Sequence, residues 1–369
     1  MCDDHPDGPH HLRRPTGPRR LAHMAHSPRD GTGFLQEVRD GVTGRAALLV
    51  TGVLVLQLAF IASYIGAFHS PKPRDVPLGV VAPREIAGQL VDQLAALPGD
   101  PLDPRAVGDE AAALRRIHER DLDAALIVDA RGTTDTLLVA GGSGASLAQA
   151  TEAVVARAER AQQRTLKTID VVPAAAGDSR GLSSFYLVVG WCVGGYLCAA
   201  ILAISAGARP ANTHRALIRL AALALYAVGS GLLGAVVAGP VLGALPGSIA
   251  GLWGLGALVV FAVGALTLAL QGLAGVVGIG LAIAIVVVLG NPSAGGAYPY
   301  PLLPPFWGTI GPFLPPGAGT WSARSLAYFR GNALTCPLLV LSAWATAGTA
   351  ATLASAALRG RKGQTERSV

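Results

Sequence analysis

A glycine-rich turn is the first segment of this sequence whose residue types suggest ligand chemistry. Gly141-Gly142-Ser143-Gly144 follows a strand-like pattern and precedes a helical one, as the loops that cradle phosphate groups do. The spacing fits neither G-x-G-x-x-G nor G-x-x-x-x-G-K-[ST], so we expect a tight turn that begins a helix. No Walker A sequence occurs in the chain. If ATP drives this protein, a separate ATPase polypeptide must hydrolyse it.

The other residue types that act as metal ligands or nucleophiles are dispersed. Most of the histidines lie in the N-terminal tail beside three aspartates; they are His5, His10, His11, His23 and His26. A weak metal site is one interpretation, but the proline and arginine content favours a disordered cytoplasmic tail over residues 1–45. Four cysteines are too few and too scattered for a disulfide framework. We therefore expect no catalytic residue, no metal, no cofactor and no enzyme activity.

Apolar segments dominate the chain. Hydrophobic residues make up 51% of it and charged residues only 14%, and no Asp, Glu, Lys or Arg occurs between Arg219 and Arg324. Because a helix needs roughly 20 apolar residues to cross a bilayer, a purely soluble protein is excluded. Six transmembrane helices are predicted, at residues 46–68, 184–205, 220–241, 249–270, 273–289 and 333–358.

The side chains inside these spans narrow the possible mechanisms. No predicted span contains Asp, Glu, Lys, Arg or His. Proton-driven and ion-driven carriers usually place such groups at membrane depth, so this class is disfavoured, although sodium sites built from backbone carbonyls remain possible. An intramembrane protease is disfavoured because it would need a base or metal ligand at the same depth.

The distribution of charge predicts the orientation. The segment 69–181 is net acidic, whereas the loop before the third span and the C-terminal tail, 359–369, are rich in arginine. Arginine-rich short loops stay in the cytoplasm, so both termini are predicted to lie inside a multi-pass plasma-membrane protein. The basic pI, about 9.4, therefore reflects topology. The dispersed arginines give no support for nucleic-acid binding.

Residues 69–181 have the alternating patterns of a folded domain. Strands are predicted at 77–81, 124–128, 134–140 and 169–172, and helices at 83–97, 109–121 and 147–166. The predicted fold class is an α-helical integral membrane protein with six transmembrane helices and a small α/β extracytoplasmic domain inserted between helices 1 and 2. The other five helices form a membrane domain over residues 182–358.

An outer loop at 290–332, rich in proline and aromatic residues, is the most distinctive segment. Its prolines divide it into short pieces, and its aromatic side chains favour the lipid–water boundary, so we expect short helices that dip into the outer leaflet and return. One interpretation is a surface loop that only anchors the last span. The other is an outer gate or lateral exit, for which the candidate gate or cargo contacts are Asn291, Ser293, Tyr300, Trp307 and Arg324.

The layout resembles the phage infection protein (Pip-like) family, which is related to the type-2 ABC transporter permeases. It is similar in having one anchor, an outside domain and then five spans over roughly residues 46–358. The more specific likeness is confined to about 290–331 and to the start of the second span. The residues that carry it are Asn291-Pro292-Ser293-Ala294-Gly295-Gly296, Leu303-Pro304-Pro305-Phe306-Trp307, Leu314-Pro315-Pro316-Gly317-Ala318, Arg324, Tyr328-Phe329-Arg330-Gly331, Phe185-Tyr186 and Gly190-Trp191.

The resemblance implies an export-type fold in the lipid bilayer. A pore subunit of this class works as a homodimer or heterodimer with a separate ATPase and moves a lipid-like or hydrophobic cargo outward. The cytoplasmic loop that contains Arg209, Arg215 and Arg219 is the candidate ATPase contact. The alternative is a non-transporting envelope scaffold or receptor whose outside domain binds a partner, because a shared fold does not establish transport.

Overall fold

The computed structural model describes residues 43–207 and 209–365. Most of the predicted N-terminal tail, including its histidines, and residues 366–369 lie outside the described residues. The first helix, α1 (Gly44–Phe68), begins where the Thr43 hydroxyl accepts a hydrogen bond from the Ala46 amide at 3.2 Å. The chain divides into two units after Thr51, and everything described below lies in the second, which begins at Gly52.

The α/β domain follows α1 and contains one mixed sheet. Its elements are β1 (Val76–Val81), α2 (Arg84–Ala95), β2 (Leu102–Ala106), α3 (Glu110–His118), β3 (Ala124–Ile127), β4 (Thr134–Val139), α4 (Ala145–Ala161) and β5 (Thr165–Asp170). The strand order is β2-β1-β3-β4-β5, and only the β3–β4 pair is antiparallel. Leu78, Leu126 and Leu137 are fully buried at its centre, so the sheet has its own apolar core.

Two parts of this domain differ from the sequence prediction. Strand β2 was not predicted, because Asp103 and Pro104 interrupt its apolar pattern; it is an edge strand that pairs with β1 alone. The predicted helix 147–166 extends too far: α4 ends at Ala161, and the chain turns at Gln163, which has a φ of +57°. The last strand therefore begins at Thr165, four residues before the predicted start.

Three long apolar helices and one shorter one follow the domain. They are α5 (Ser183–Ala206), α6 (Thr213–Val236, continued by a π-helical turn Val237–Val241), α7 (Ile249–Ala274) and α8 (Val277–Ile283, continued by a π-helical segment Ala284–Gly290). Helix α7 packs against α5 and α6. At one crossing, a Cβ on Gly256 would lie 2.8 Å from the Gly231 Cα, so glycine permits the close approach.

The predicted fifth span, 273–289, is where the structure departs most from the expected helix lengths. Residues up to Ala274 continue α7, and Gly275 turns the chain with a φ of +65°. Seven α-helical and seven π-helical residues follow, which is about 20 Å of helix against a hydrocarbon core of about 30 Å. Among the described residues, five helices are long and apolar enough to cross a membrane, and α8 is a shorter apolar helix.

The segment predicted as an outer loop forms two helices before the last long one. The two helices are α9 (Pro305–Ile310) and α10 (Pro315–Tyr328), and the long helix that follows them is α11 (Thr335–Thr365). Most of α10 is buried against α5, α7 and α11. Helix α11 continues past residue 359, where the sequence predicted the start of a tail.

Candidate functional site

A polar cavity of about 240 Å³ lies between the α/β domain and the segment 294–324. The domain contributes the residues that follow α3 and the start of α4, and the helical part contributes α10 and the chain around Tyr300. Of the five predicted gate residues, the structure brings Tyr300 and Arg324 together here. The side chains that matter most for its chemistry are Arg120, Asp123, Tyr300, Trp321 and Arg324.

Arg324 is a buried residue that lines this cavity and binds two backbone segments, one at Gly181 and one at Gly295-Gly296. Its Nη1 donates to the Gly295 carbonyl at 2.6 Å, and its Nη2 donates to the carbonyls of Gly296 and Gly181 at 2.8 and 3.1 Å. Only 4% of the side chain is exposed. Burial lowers the pKa of the Arg324 guanidinium to about 10, so it stays protonated at neutral pH.

Arg120 brings a second positive charge to the cavity from the α/β domain. It follows α3 in a left-handed conformation, with a φ of +64°, that few non-glycine residues adopt. Its Nη1 donates to the Trp321 carbonyl at 2.9 Å and to the Ser325 hydroxyl at 2.7 Å. The guanidinium carbon lies 3.5 Å from the centre of the Trp321 ring, which is a cation–π contact. Burial and the nearby Arg324 lower the Arg120 pKa to about 9.

Tyr300 forms a wall that separates this cavity from a second pocket. Its ring stacks on Trp321 with centroids 6.1 Å apart, and both rings also line an apolar pocket of about 590 Å³ beside α11. The Tyr300 hydroxyl and the Nε of Arg324 are buried and have no hydrogen-bond partner among the described residues. These two donors remain available to a ligand.

The glycine-rich turn borders the same cavity. Gly141–Ser143 forms one 3₁₀ turn, and α4 begins directly after Gly144. This is the tight turn with a helix start that the spacing predicts. Ser143 and Leu147 line the cavity, so the first turn of α4 lies at its edge. The amino end of a helix carries a partial positive charge, which adds to that of the two arginines.

The other three predicted gate residues lie outside this cavity. Asn291 and Ser293 are buried beyond the end of α8, and the Ser293 hydroxyl donates to the Leu289 carbonyl at 2.7 Å. The Asn291 Oδ1 has no partner among the described residues. Trp307 lies on α9, with its indole nitrogen beside Gly66 of α1. The structure therefore does not bring the five residues into one site.

An apolar groove of about 730 Å³ runs between α5 and α6. Tyr186, Trp191, Tyr226 and Leu233 line it, and the Trp191 indole donates to the Ser230 carbonyl at 3.3 Å. Tyr186 is 62% exposed and Leu233 is 66% exposed, so the groove opens onto the outer surface of the helices. The sequence does not distinguish this groove, because its lining is as apolar as the other faces of these helices.

The predicted ATPase-contact arginines lie at the opposite end of the long helices. Arg219 is buried, and its Nη2 donates to the carbonyls of Ala206 and Gly207 at 2.8 and 2.6 Å. Arg215 and Arg209 are exposed. Helix α6 begins at Thr213, where Asn212 caps it, so Arg215 and Arg219 belong to a helix rather than a loop. Arg359 lies at the same end and donates to the Gly272 carbonyl at 2.6 Å.

A separate acidic pair lies within the α/β domain. Arg164 makes two 2.6 Å hydrogen bonds to the buried Asp135 carboxylate. Burial alone would raise the Asp135 pKa, but these bonds and the Asp129 amide hold it below its ordinary value. The neighbouring Glu159 is buried 3.7 Å from the Arg164 Nε. Burial, with the adjacent Asp135, raises the Glu159 pKa to about 7.

Comparison of the chain with protein-family models, with curated proteins and with solved structures gives no match. In the part of the chain that the structure describes, no cluster of histidine, cysteine and acidic residues could hold a metal ion.

Proposed function

We propose that the chain is a membrane permease subunit that moves a lipid-like or hydrophobic cargo outward, powered by a separate ATPase. The apolar groove between α5 and α6 is the observation that carries this proposal. Its volume is within the range of small-molecule sites, its walls are almost entirely apolar, and it opens sideways from helices apolar enough to span a membrane. An acyl chain could enter it directly from the bilayer. The resemblance to the Pip-like group supports the same function.

The proposed topology has six crossings of the plasma membrane, with both termini in the cytoplasm and the α/β domain outside. The arginines after α5, at the start of α6 and near the end of α11 support a cytoplasmic placement of that end. The path of the chain through α8 supports the sixth crossing. Before α8, the Gly272 carbonyl accepts a hydrogen bond from Arg359, at the arginine-rich end of the long helices. After α8, the Gly296 carbonyl accepts one from Arg324, which also binds the Gly181 carbonyl at the end of the α/β domain. Residues 291–298, which form turns and bends after α8, would complete the crossing.

Groove occupancy can be tested with a substitution that fills the groove without disturbing the protein. Gly190 lines the groove, and a Cβ there would contact nothing within 4 Å. Gly190→Leu should therefore project into the groove and displace most of a spin-labelled phospholipid that the wild type immobilises in vesicles. Gly254→Leu, on an exposed and equally open face of α7, is the matched control and should leave binding unchanged. Equal binding by all three proteins would refute a lipid-binding groove.

The ATPase partner is tested at the exposed arginines. The proposed pore is a homodimer or heterodimer that binds a separate ATPase. Protein purified from its native membranes in mild detergent should therefore carry the ATP hydrolysis activity of that bound ATPase. Arg209→Ala combined with Arg215→Ala should remove that activity, while Arg84→Ala, an exposed change in the α/β domain, should not. Arg219 is left intact because its hydrogen bonds support the backbone. Retained activity in the double variant would refute this contact.

One observation favours the alternative of a scaffold or receptor. Long-range polar bonds fix the α/β domain to the membrane part: Tyr328 donates to the Asp178 carboxylate at 2.7 Å, and the Asn332 amide donates to the His118 carbonyl at 2.9 Å. A fixed domain suits a platform that presents a binding surface. Purification of monomers with no ATPase activity, and lipid binding that is unaffected by Gly190→Leu, would favour this function.

A further inference from the structure

The polar cavity between the α/β domain and α10 has no role in the proposed cargo path. None of the residues that line it also lines the groove between α5 and α6. Its composition is nevertheless specialised, because two guanidinium groups from distant parts of the chain meet there.

The charges around the cavity do not cancel by direct pairing. Within the described residues, neither Arg120 nor Arg324 forms an ion pair with a carboxylate, and the hydrogen bonds that both donate go to carbonyl groups and one hydroxyl. Asp123 is the only partly buried carboxylate that lines the cavity; Asp75 and Asp121 are exposed at its rim. Asp123 attracts Arg120 and Asp178 attracts Arg324 without forming an ion pair, so a bound anion would stabilise these buried charges by direct pairing.

The donors that remain free define what the anion must offer. The Nε of Arg324 and the Tyr300 hydroxyl are buried without partners, and the first turn of α4 borders the same space. Donors carried by three separate parts of the chain, α10, Tyr300 and the first turn of α4, suit a tetrahedral oxyanion better than a flat carboxylate. Asp123 adds a further requirement, because an ionised carboxylate accepts a hydrogen bond only from a ligand oxygen that carries a proton.

We propose that this cavity binds a phosphate monoester or inorganic phosphate, with Arg120, Arg324 and Tyr300 as donors and Asp123 as the acceptor for a protonated phosphate oxygen. Sulfate, which carries no proton near neutral pH, would place an unprotonated oxygen against the Asp123 carboxylate. The site therefore selects phosphate over sulfate. A bound phosphate would also connect the α/β domain to α10.

The phosphate could come from solution or from a lipid headgroup. The apolar pocket of about 590 Å³ lies on the other side of the stacked Tyr300 and Trp321 rings. An acyl chain there would place its phosphate beside the polar cavity. Phosphatidic acid has a phosphate monoester headgroup, whereas phosphatidylcholine has a diester with no proton to donate.

The test uses the full-length protein purified in phosphate-free detergent buffer and titrated calorimetrically with inorganic phosphate and with sulfate. We expect saturable phosphate binding and at least about tenfold weaker sulfate binding. Tyr300→Phe removes one hydrogen bond to a charged group and keeps the ring stack, so phosphate affinity should fall about tenfold or more. Tyr298→Phe, which packs against Phe68 and does not line the cavity, should bind as the wild type does.

Vesicles of phosphatidic acid and of phosphatidylcholine distinguish the two sources. Binding of inorganic phosphate identifies a soluble ligand. Binding of phosphatidic acid alone, if it is lost in Tyr300→Phe, identifies a lipid headgroup. Either result supports the site. A second variant, Asp123→Asn, should raise sulfate affinity to that of phosphate, and it tests the site even if Tyr300→Phe does not fold. The proposal would be overturned if the wild type bound neither inorganic phosphate nor phosphatidic acid, or if it bound sulfate as tightly as phosphate. Equal losses of phosphate affinity in Tyr300→Phe and Tyr298→Phe would also overturn it.

Discussion

Replacement of Arg324 by glutamine should destabilise the protein more than any other single change at the junction between the α/β domain and α10. The side chain makes three hydrogen bonds from a charged group to the carbonyls of Gly181, Gly295 and Gly296. Each such bond is worth about 1.5–3 kcal/mol, and its loss leaves a buried carbonyl unpaired. Removal of the guanidinium also removes its cost of burial, so we expect a net loss of about 3–5 kcal/mol.

The assay is reversible unfolding of the purified protein by a denaturing detergent in mixed micelles, with the free energy of unfolding extrapolated to zero denaturant. Arg330→Gln is the matched control, because Arg330 is exposed and makes no side-chain hydrogen bond within the described residues. That variant should change the free energy by less than about 0.5 kcal/mol. Hydrogen exchange should also quicken at Gly295 and Gly296 in the Arg324 variant alone. If both variants lose the same small amount, Arg324 does not hold these segments together.

Three further variants test the packing and the ionisable groups. Gly231→Ala would place a Cβ 2.7 Å from the Trp253 carbonyl, so unfolding should be about 1–3 kcal/mol easier, while Gly229→Ala, with open space, should be neutral. The pKa of Glu159 is raised from 4.5 to about 7, so the free energy of unfolding falls as the pH rises from about 4.5 through 7 and the buried carboxyl loses its proton. Glu159→Gln should remove this pH dependence and stabilise the protein at pH 8. Tyr328→Phe should cost about 1.5 kcal/mol through the lost hydrogen bond to the buried Asp178 side chain, measured by thermal unfolding.

The long helices were predictable because one property decides them. A continuous apolar run specifies a helix of sufficient length, and the observed α1, α5 and α7 begin within two residues of the predicted positions. Helix α6 begins at Thr213, seven residues before its predicted start, since its first turns carry arginine and are held by an asparagine cap. The shortness of α8 depends on a glycine turn and on π-helical geometry, which composition alone does not indicate.

The sequence predicted some of the residues that line the polar cavity but not others. Aromatic and proline content directed attention to Tyr300 and Arg324, and both line the cavity. Arg120 was not predicted, because nothing distinguishes it from the other arginines near α3 until its left-handed backbone and its contact with Trp321 are known. Long-range pairs of this kind depend on how the domain docks, which the local sequence does not encode.

The contact between Arg120 and Trp321 also constrains the order of events during biosynthesis. The two residues are separated by 201 positions. At about 5–20 residues per second, Trp321 is synthesised about 10–40 s after Arg120. The domain, with its own apolar core, can therefore fold first and wait with one cationic side chain exposed. Insertion of the last helices would then close the junction, so a chaperone that shields this surface would act within that interval.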